Sequence, residues 1–530
     1  MQRRAMRDKR GSASSRSLEG RRLGLVAWTV PLVPLIIVCL EPPFRIWGQN
    51  RSQLPPLLIP LLSTLGLAIV LCLGVALICR VRAKEPGLVV LPTLVLLEAF
   101  WRWSNLRSSL GSLSGTILLI SFLFVLALIL SARISARAAI GFAMVVSIST
   151  VAPAFASVLF PAPTKWGNGI APVAKRQAAS TAMSQPDVYL IILDEHARGD
   201  VMESTFHVDQ GHFNEALSRL GLSLAEQATA NYSMTYASIP SLLDGTYLME
   251  AGDRLTPTQE LNLYLMAAGS NQSVAWFRSR GYRYVHFEGS LSTQCGRQVD
   301  DCRRFPTYDE TMSVLWSQTP IGGVIDRLLG PFPTKGALDQ LDGLQQLAST
   351  EREVPRFVFA HVLLPHAPLY LDERCRIRVA KELGGRTVSG PMHEDAMPAR
   401  LKAYSEQVEC VDAKVIGIIE ALPPTSVVVI VSDHGPTTTG QLWITRDRWT
   451  ADQIEERLSV LAAARLPRDC PKLPEDVSLV NVMRIVTACL DDQQIQQLPE
   501  RRYLVPWGTK DPSGAVRVPS SSEIGRLPYP

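Results

Sequence analysis

Two stretches, Val427–Gly435 (VVVIVSDHG) and Val188–Glu195 (VYLIILDE), decide how the chain folds. Each is a short aliphatic, β-branched run that stops abruptly at acidic residues. Unbroken apolar runs of this length suit strands buried on both faces of a parallel sheet. Further strand-like runs lie at 273–277, 283–287 and 356–363, and helical patterns near 212–220, 236–243, 400–421, 451–464 and 479–490. The clearest helix is 400–421, where Leu401, Tyr404, Val408, Val411, Val415 and Ile418 recur at three- and four-residue spacing. Strands alternating with helices predict an α/β domain with a mostly parallel sheet between helix layers. Ligands then bind beyond the carboxyl ends of the strands.

Upstream, five apolar segments are read at 23–41, 55–79, 87–101, 115–131 and 138–160. A membrane-crossing helix needs about 20 mostly apolar residues. The third segment is short, interrupted by Pro92 and closed by Glu98 and Arg102. The tail 1–22 is rich in arginine, which assigns it to the cytoplasmic side. About five spans follow in 23–160; three spans with two re-entrant or core helices satisfy the same orientation. A cleaved secretory signal does not account for so many long segments. An odd number of spans sends the remainder outward, to the periplasmic or extracellular side of a bacterial inner or plasma membrane. Residues 161–185, rich in Ala, Pro, Gly and Ser, read as a juxtamembrane linker, and 186–530 as the exported catalytic domain. The formal net charge of +4 identifies no partner, because the basic excess surrounds the spans. The bilayer and an envelope lipid or glycan are the expected partners, and no nucleic acid is expected.

Cys39, Cys72 and Cys79 fall in apolar segments and are expected to be free. The exported part carries Cys295, Cys302, Cys375, Cys410, Cys470 and Cys489. An even set in an oxidising compartment points to disulfides, although six cysteines admit fifteen connectivities. Cys295 with Cys302 is the simplest pair, across the loop GRQVDD, leaving Cys375 with Cys410 and Cys470 with Cys489.

The chemistry gathers at the strand ends. Asp194 and Glu195 close one strand, with Arg198 three residues on; alone, such residues cap helices. Asp433 and His434 close the other. A carboxylate beside an imidazole suits Zn²⁺ or Mn²⁺ better than Ca²⁺. Thr235 and Ser238 lie in Asn231–Gly245 (NYSMTYASIPSLLDG) near a helix start, where free N–H groups favour an incoming anion. An alcohol activated by a cation there becomes a nucleophile. His361 and His366 lie in Phe357–Tyr370 (FVFAHVLLPHAPLY), and only eight histidines occur in the chain. Either imidazole can protonate a leaving alcohol.

The order of these pieces resembles the sulfatase-like branch of the alkaline phosphatase superfamily over roughly 186–490. It is most similar to membrane-bound phosphoethanolamine transferases and lipoteichoic acid synthases. Glu195-His196-Ala197-Arg198 resembles their E-x-x-R, and Thr235-Tyr236-Ala237-Ser238-Ile239-Pro240 their T-x-x-S-x-P. His361, His366, Pro368 and Tyr370 match H-x4-H-x-P-x-Y, and Ser432–Gly435 matches S-D-H-G. The resemblance implies metal ligands among Asp194, Glu195, Thr235, Asp433 and His434. It also implies a covalent phospho-group on Thr235, with Ser238 as the competing nucleophile, and substrate contacts from His366. Two departures stand out: PTTTG follows the D-H-G, and Leu242 stands where a sulfatase signature requires Arg. Three alternatives remain open: a sulfuric or phosphoester hydrolase, a degenerate envelope-binding protein, and a subunit of an envelope assembly.

Overall fold

A computed structural model describes residues 30–49, 58–81, 89–159, 185–289, 293–305, 332–378, 397–437, 445–507 and 513–520, with several positions between 312 and 324. The basic tail, the linker through Ser184, the side chain of Cys79 and Thr438–Gly440 lie outside the described residues. The chain divides into two compact units, one helical and one α/β.

The helical unit contains α1 (Val33–Val38), α2 (Glu41–Gln49), α3 (Leu58–Val81), α4 (Val90–Trp101), α5 (Trp103–Leu110), α6 (Leu113–Arg133) and α7 (Ala136–Leu159). Among the described residues three helices, α3, α6 and α7, are long and apolar enough to cross a membrane. The segment read at 87–101 becomes the 12-residue α4. At 1.5 Å per residue it reaches about 18 Å, short of a hydrocarbon core of about 30 Å. The described part of 23–41 is a 3-10 turn followed by the six-residue α1. Pro31 and Pro34 lack the N–H that a continuous helix needs, and Pro42 and Pro43 sit where α2 begins. The long helices turn large side chains outward: Leu118 is 69% and Val70 65% exposed. Contiguous apolar surface of this kind is suited to lipid rather than water.

Residues 311–325 fall within the range read as exported domain, yet they cluster with the helical unit. Leu315 is fully buried in its core with Leu35, Leu94 and Ala139. The Trp316 ring lies 5.8 Å from that of Trp101, and Arg45 donates to Gln318 Oε1 at 2.6 Å.

The α/β unit runs β1 (Val188–Leu193), α8 (Gly199–Phe206), α9 (Gly211–Arg219), β2 (Ser223–Leu224), α10 (Thr235–Asp244), α11 (Pro257–Ala267), α12 (Gln272–Ser279), β3 (Arg283–Phe287), β4 (Asp301–Arg303), α13 (Phe332–Ala348), β5 (Arg356–Val362), α14 (Met397–Ala421), β6 (Val427–Val431), α15 (Ala451–Leu458), β7 (Ala462–Arg465), α16 (Leu479–Leu490), β8 (Arg502–Leu504) and β9 (Val516–Val518). The main sheet has the order β2-β7-β6-β1-β5-β3-β4. It is parallel from β6 through β4 and antiparallel at β7 and β2.

Alternation along each strand separates two cores. Val188, Leu190, Ile192, Phe357, Phe359, Val427, Val429 and Val431 pack on one face with side chains of α10, α12 and α16. Tyr189, Ile191, Leu193, Val358, Ala360, Val428 and Ile430 pack on the other with α9, α13 and α14. Both faces are dry, which is why the strands read as unbroken apolar runs.

Two sequence expectations are corrected. Residues 273–277, read as a strand for their Val, Trp and Phe, lie in α12. Asn271 caps that helix by accepting from Val274 N at 2.9 Å, and Val274 and Phe277 share its buried face. The helix read at 451–464 stops at Leu458, and Ala462–Arg465 forms β7 against β6. Ala462 and Ala464 enter one core and Ala463 the other. The alanines that suggest a helix are chosen here for close packing in a sheet.

The three cysteine pairs form disulfides: Cys295–Cys302, Cys375–Cys410 and Cys470–Cys489. Cys39 and Cys72 are free and buried.

Candidate active site

Strand register builds the site. Ile192 of β1 pairs with His361 of β5 on one side and with Val431 of β6 on the other. Asp194 and Asp433 each lie two residues beyond that level. The period of two therefore carries Asp194, Asp433 and His361 to the same side of the sheet, the side on which α10 packs. His361, within the run read as a strand at 356–363, is the penultimate residue of β5.

One ligand atom from each of Asp194, His361 and Asp433 lies within 4.8 Å of the others, and all three residues are buried. Asp194 Oδ2 is 3.2 Å from His361 Nε2. Asp194 Oδ1, Asp433 Oδ2 and His361 Nε2 have no hydrogen-bond partner among the described residues. Leaving such atoms bare in an interior is costly. Two carboxylates and an imidazole with free lone pairs fit a divalent cation of the Zn²⁺ or Mn²⁺ type. The other ring nitrogen, His361 Nδ1, is 3.0 Å from Thr293 Oγ1, which orients the ring.

Thr235 is the first residue of α10, and its Oγ1 lies 3.0 Å from His434 Nε2. His434 Nδ1 faces the Gly435 carbonyl at 3.3 Å, and Arg457 Nη2 donates to Nε2 at 3.2 Å. These partners assign the proton to Nδ1 and leave Nε2 as a lone pair. Burial and the Arg457 charge keep His434 neutral, its pKa well below the usual histidine value. Burial and the neighbouring Asp194 charge raise the Asp433 carboxyl above its usual range. Burial works against ionisation of Asp194 too, but the charge of His366 outweighs it and holds its carboxyl well below the usual range.

Ser238 does something different. Its hydroxyl donates to the main-chain oxygen of Asp433 at 2.6 Å and is fully buried. It fixes the end of β6 to α10. Leu242, one turn further on, is embedded in the core. Arg198 turns aside as well: it pairs with Asp200 at 2.7 Å and donates to the Ala228 carbonyl at 2.9 Å.

Glu195 has φ of +64°, a left-handed conformation that costs a non-glycine residue energy. Two contacts hold it there. Its carbonyl accepts from Tyr404 Oη at 2.6 Å, and its carboxylate takes Arg457 Nη1 at 2.6 Å. His366 Nε2 stands 3.8 Å from the same carboxylate. Although desolvation opposes it, the charges of Glu195 and Asp194 raise His366 to about 9. Buried Gln407 of α14 pins the histidine loop, donating to the carbonyls of Pro365 and His366 and accepting from Tyr370 N and Leu371 N.

Arg457, Thr293 and Gln407 were not found from sequence. Arg457 is the penultimate residue of α15, in a run that reads as an ordinary charged helix, EERL, yet its side chain is only 2% exposed. Gly435 also has a reason beyond an easy turn. A Cβ there would lie 1.9 Å from the Glu456 carbonyl oxygen. Gly435 N donates to the Arg457 carbonyl at 2.7 Å, and Arg457 Nη1 returns a bond to the Gly435 carbonyl at 2.6 Å.

A family model described as Sulfatase matches residues 186–484, more than half of the chain. The chain belongs to the sulfatase family. It is thus an enzyme of the sulfatase-like branch of the alkaline phosphatase superfamily. Solved structures similar to this sulfatase-family chain include the Zn complex of the C-terminal periplasmic domain of EcEptC from Escherichia coli, at 11% identity and a TM-score of 0.41, covering 65% of this chain and 96% of that one. Another is the phosphonate monoester hydrolase of Agrobacterium radiobacter, at 13% identity and a TM-score of 0.38, covering 60% and 80%. A third is a putative sulfatase from Bacteroides thetaiotaomicron, at 13% identity and a TM-score of 0.37, covering 60% and 77%. No curated protein sequence matches the chain.

Proposed function

We propose that this sulfatase-family enzyme is anchored in a bacterial inner or plasma membrane and transfers a phospho-group through a covalent Thr235 intermediate. The catalytic unit would face the periplasm or the cell exterior. The donor would be a phosphoethanolamine- or phosphoglycerol-type lipid, and the acceptor an envelope lipid, a glycan or water. One observation carries the reading: Thr235 Oγ1, at the first residue of a helix, lies 3.0 Å from His434 Nε2.

Asp194, Asp433 and His361 would hold the cation, with Thr235 and His434 beside them; Glu195, also expected as a ligand, is engaged by Arg457. When bound, a divalent cation would supply positive charge that lowers the hydroxyl pKa and offsets charge on the transferring group. Thr235 Oγ attacks phosphorus and forms the Oγ–P bond, while its proton passes to the Asp433–His434 pair that it faces. The P–O bond to the donor alcohol breaks, and His366, protonated at neutral pH, gives that oxygen a proton. The acceptor hydroxyl then attacks phosphorus, giving its proton to His366, and the Oγ–P bond breaks as the Asp433–His434 pair returns a proton to Thr235 Oγ. The N-terminus of α10 presents the positive end of the helix dipole to the group in transit.

Sulfate ester hydrolysis through formylglycine is the less favoured reading. Ser238 is tied to the Asp433 carbonyl, and Leu242 occupies core where the signature needs Arg. Purified full-length protein should be assayed on phosphodiester, phosphomonoester and sulfate ester substrates, with Thr235→Ala as control. Phosphoester turnover that vanishes in T235A is expected. Sulfate turnover with no phosphoester turnover would overturn the proposal.

A further inference from the structure

We infer that the helical unit holds a zwitterionic phospholipid, its acyl chain in a slot between α4, α6 and α7 and its headgroup on an ionic quartet at the end of that slot. This goes beyond the reaction proposed for Thr235 and does not depend on it.

The slot has a volume of about 410 Å³ and is walled by Leu91, Leu94, Leu119, Leu123, Ala127 and Phe142. Among the described residues its ionisable lining consists of Glu98 and Arg102. Arg102 also lines a second cavity of about 670 Å³, together with Glu41, Arg45, Ser149 and Thr150. An apolar compartment thus adjoins a polar one, with Arg102 shared between them. That is the shape an amphiphile requires.

Charge selects the headgroup. Arg45 pairs with Glu41 at 2.8 Å, and Arg102 pairs with Glu98 at 2.9 Å while reaching Glu41 at 3.8 Å. Two acids and two bases balance, so the quartet has no net charge to offer an anionic lipid. Glu98 Oε1 is buried and has no hydrogen-bond partner among the described residues. Arg102, by contrast, keeps 43% of its side chain exposed. A phosphate can therefore take Arg102 while a cationic headgroup nitrogen takes the free Glu98 oxygen, and neutrality is kept. A net-negative headgroup would add an uncompensated charge in a medium where that is expensive.

The test is native mass spectrometry of the delipidated full-length protein in detergent, titrated with phosphatidylcholine, phosphatidylethanolamine and phosphatidylglycerol. One zwitterionic lipid should be retained, roughly tenfold more tightly than phosphatidylglycerol, the worth of one charge-assisted contact. Glu98→Gln, which removes the carboxylate offered to the headgroup nitrogen, should remove that preference while leaving weak, headgroup-blind binding. Ala99→Leu, which fills the slot, should weaken all three lipids. Equal retention of phosphatidylglycerol by the wild type, or an unchanged preference in E98Q, would overturn the inference. Melting curves identify a variant that fails to fold, and the wild-type comparison of headgroups then decides alone.

Discussion

The guanidinium of Arg457 contacts the Glu195 carboxylate at 2.6 Å and the His434 ring nitrogen at 3.2 Å. It links the residue that leaves β1 to the residue that leaves β6. Its Nε also donates to the Ser233 carbonyl at 2.7 Å, just ahead of α10. One buried cation therefore ties together the three segments that carry Asp194, Thr235 and Asp433.

Removing that cation leaves the buried Glu195 with only the more distant His366, at 3.8 Å, as a charged partner. Arg457→Ala is expected to destabilise the catalytic unit by about 3–5 kcal/mol, as for a broken buried ion pair. Arg457→Lys keeps the charge but cannot serve Glu195, His434 and two carbonyls at once, so it should fall between the two. Denaturant unfolding of the three proteins checks the order.

Thr235 and Ser238, one helical turn apart, should separate cleanly. Ser238→Ala loses one hydrogen bond to the Asp433 carbonyl and should cost about 1 kcal/mol of stability while retaining turnover. Thr235→Ala should keep stability and lose turnover by about a thousandfold or more. Parallel melting and steady-state assays measure both.

The fold was legible where strands are dry on both faces. Val188–Leu193 and Val427–Val431 were read as strands because neither face could tolerate polar side chains. The candidate residues on them, Asp194 and Asp433, came with that reading. Residues 273–277 and 462–465 misled because short apolar runs do not distinguish helix from strand without their caps and partners. Arg457 was illegible for a different reason. Its partners lie 262 and 23 positions away, and nothing local marks a helix-terminal arginine as buried.

His286 is buried in β3, and burial holds it neutral with a pKa of about 3. The unfolded chain titrates near about 6.5. Between these values the unfolded state binds the extra proton, so stability falls as pH drops through that window and is fully present above it. The expected slope is of order 1 kcal/mol per pH unit. Replacing His286 by Phe should flatten this component, read as the difference between wild-type and H286F unfolding curves from pH 7 to 4.

His366 carries the opposite shift, raised to about 9 by Glu195 and Asp194 against the pull of desolvation. Its proton is held below that pH and lost as pH rises through it. In metal-free protein, histidine NMR should show one resonance titrating near 9 and absent in H366A. Adding Zn²⁺ should move this titration downward, because a cation on Asp194 cancels part of the charge that raises it. No movement would argue against a cation beside Asp194.

The central claim is a covalent intermediate on Thr235, and peptide mass spectrometry of protein quenched during turnover tests it most directly. A mass adduct on the 231–245 peptide, absent from T235A and equal in mass to the donated group, is the predicted result. Full turnover with an unmodified 231–245 peptide in T235A, or an adduct that survives in T235A on Ser238, would contradict the account.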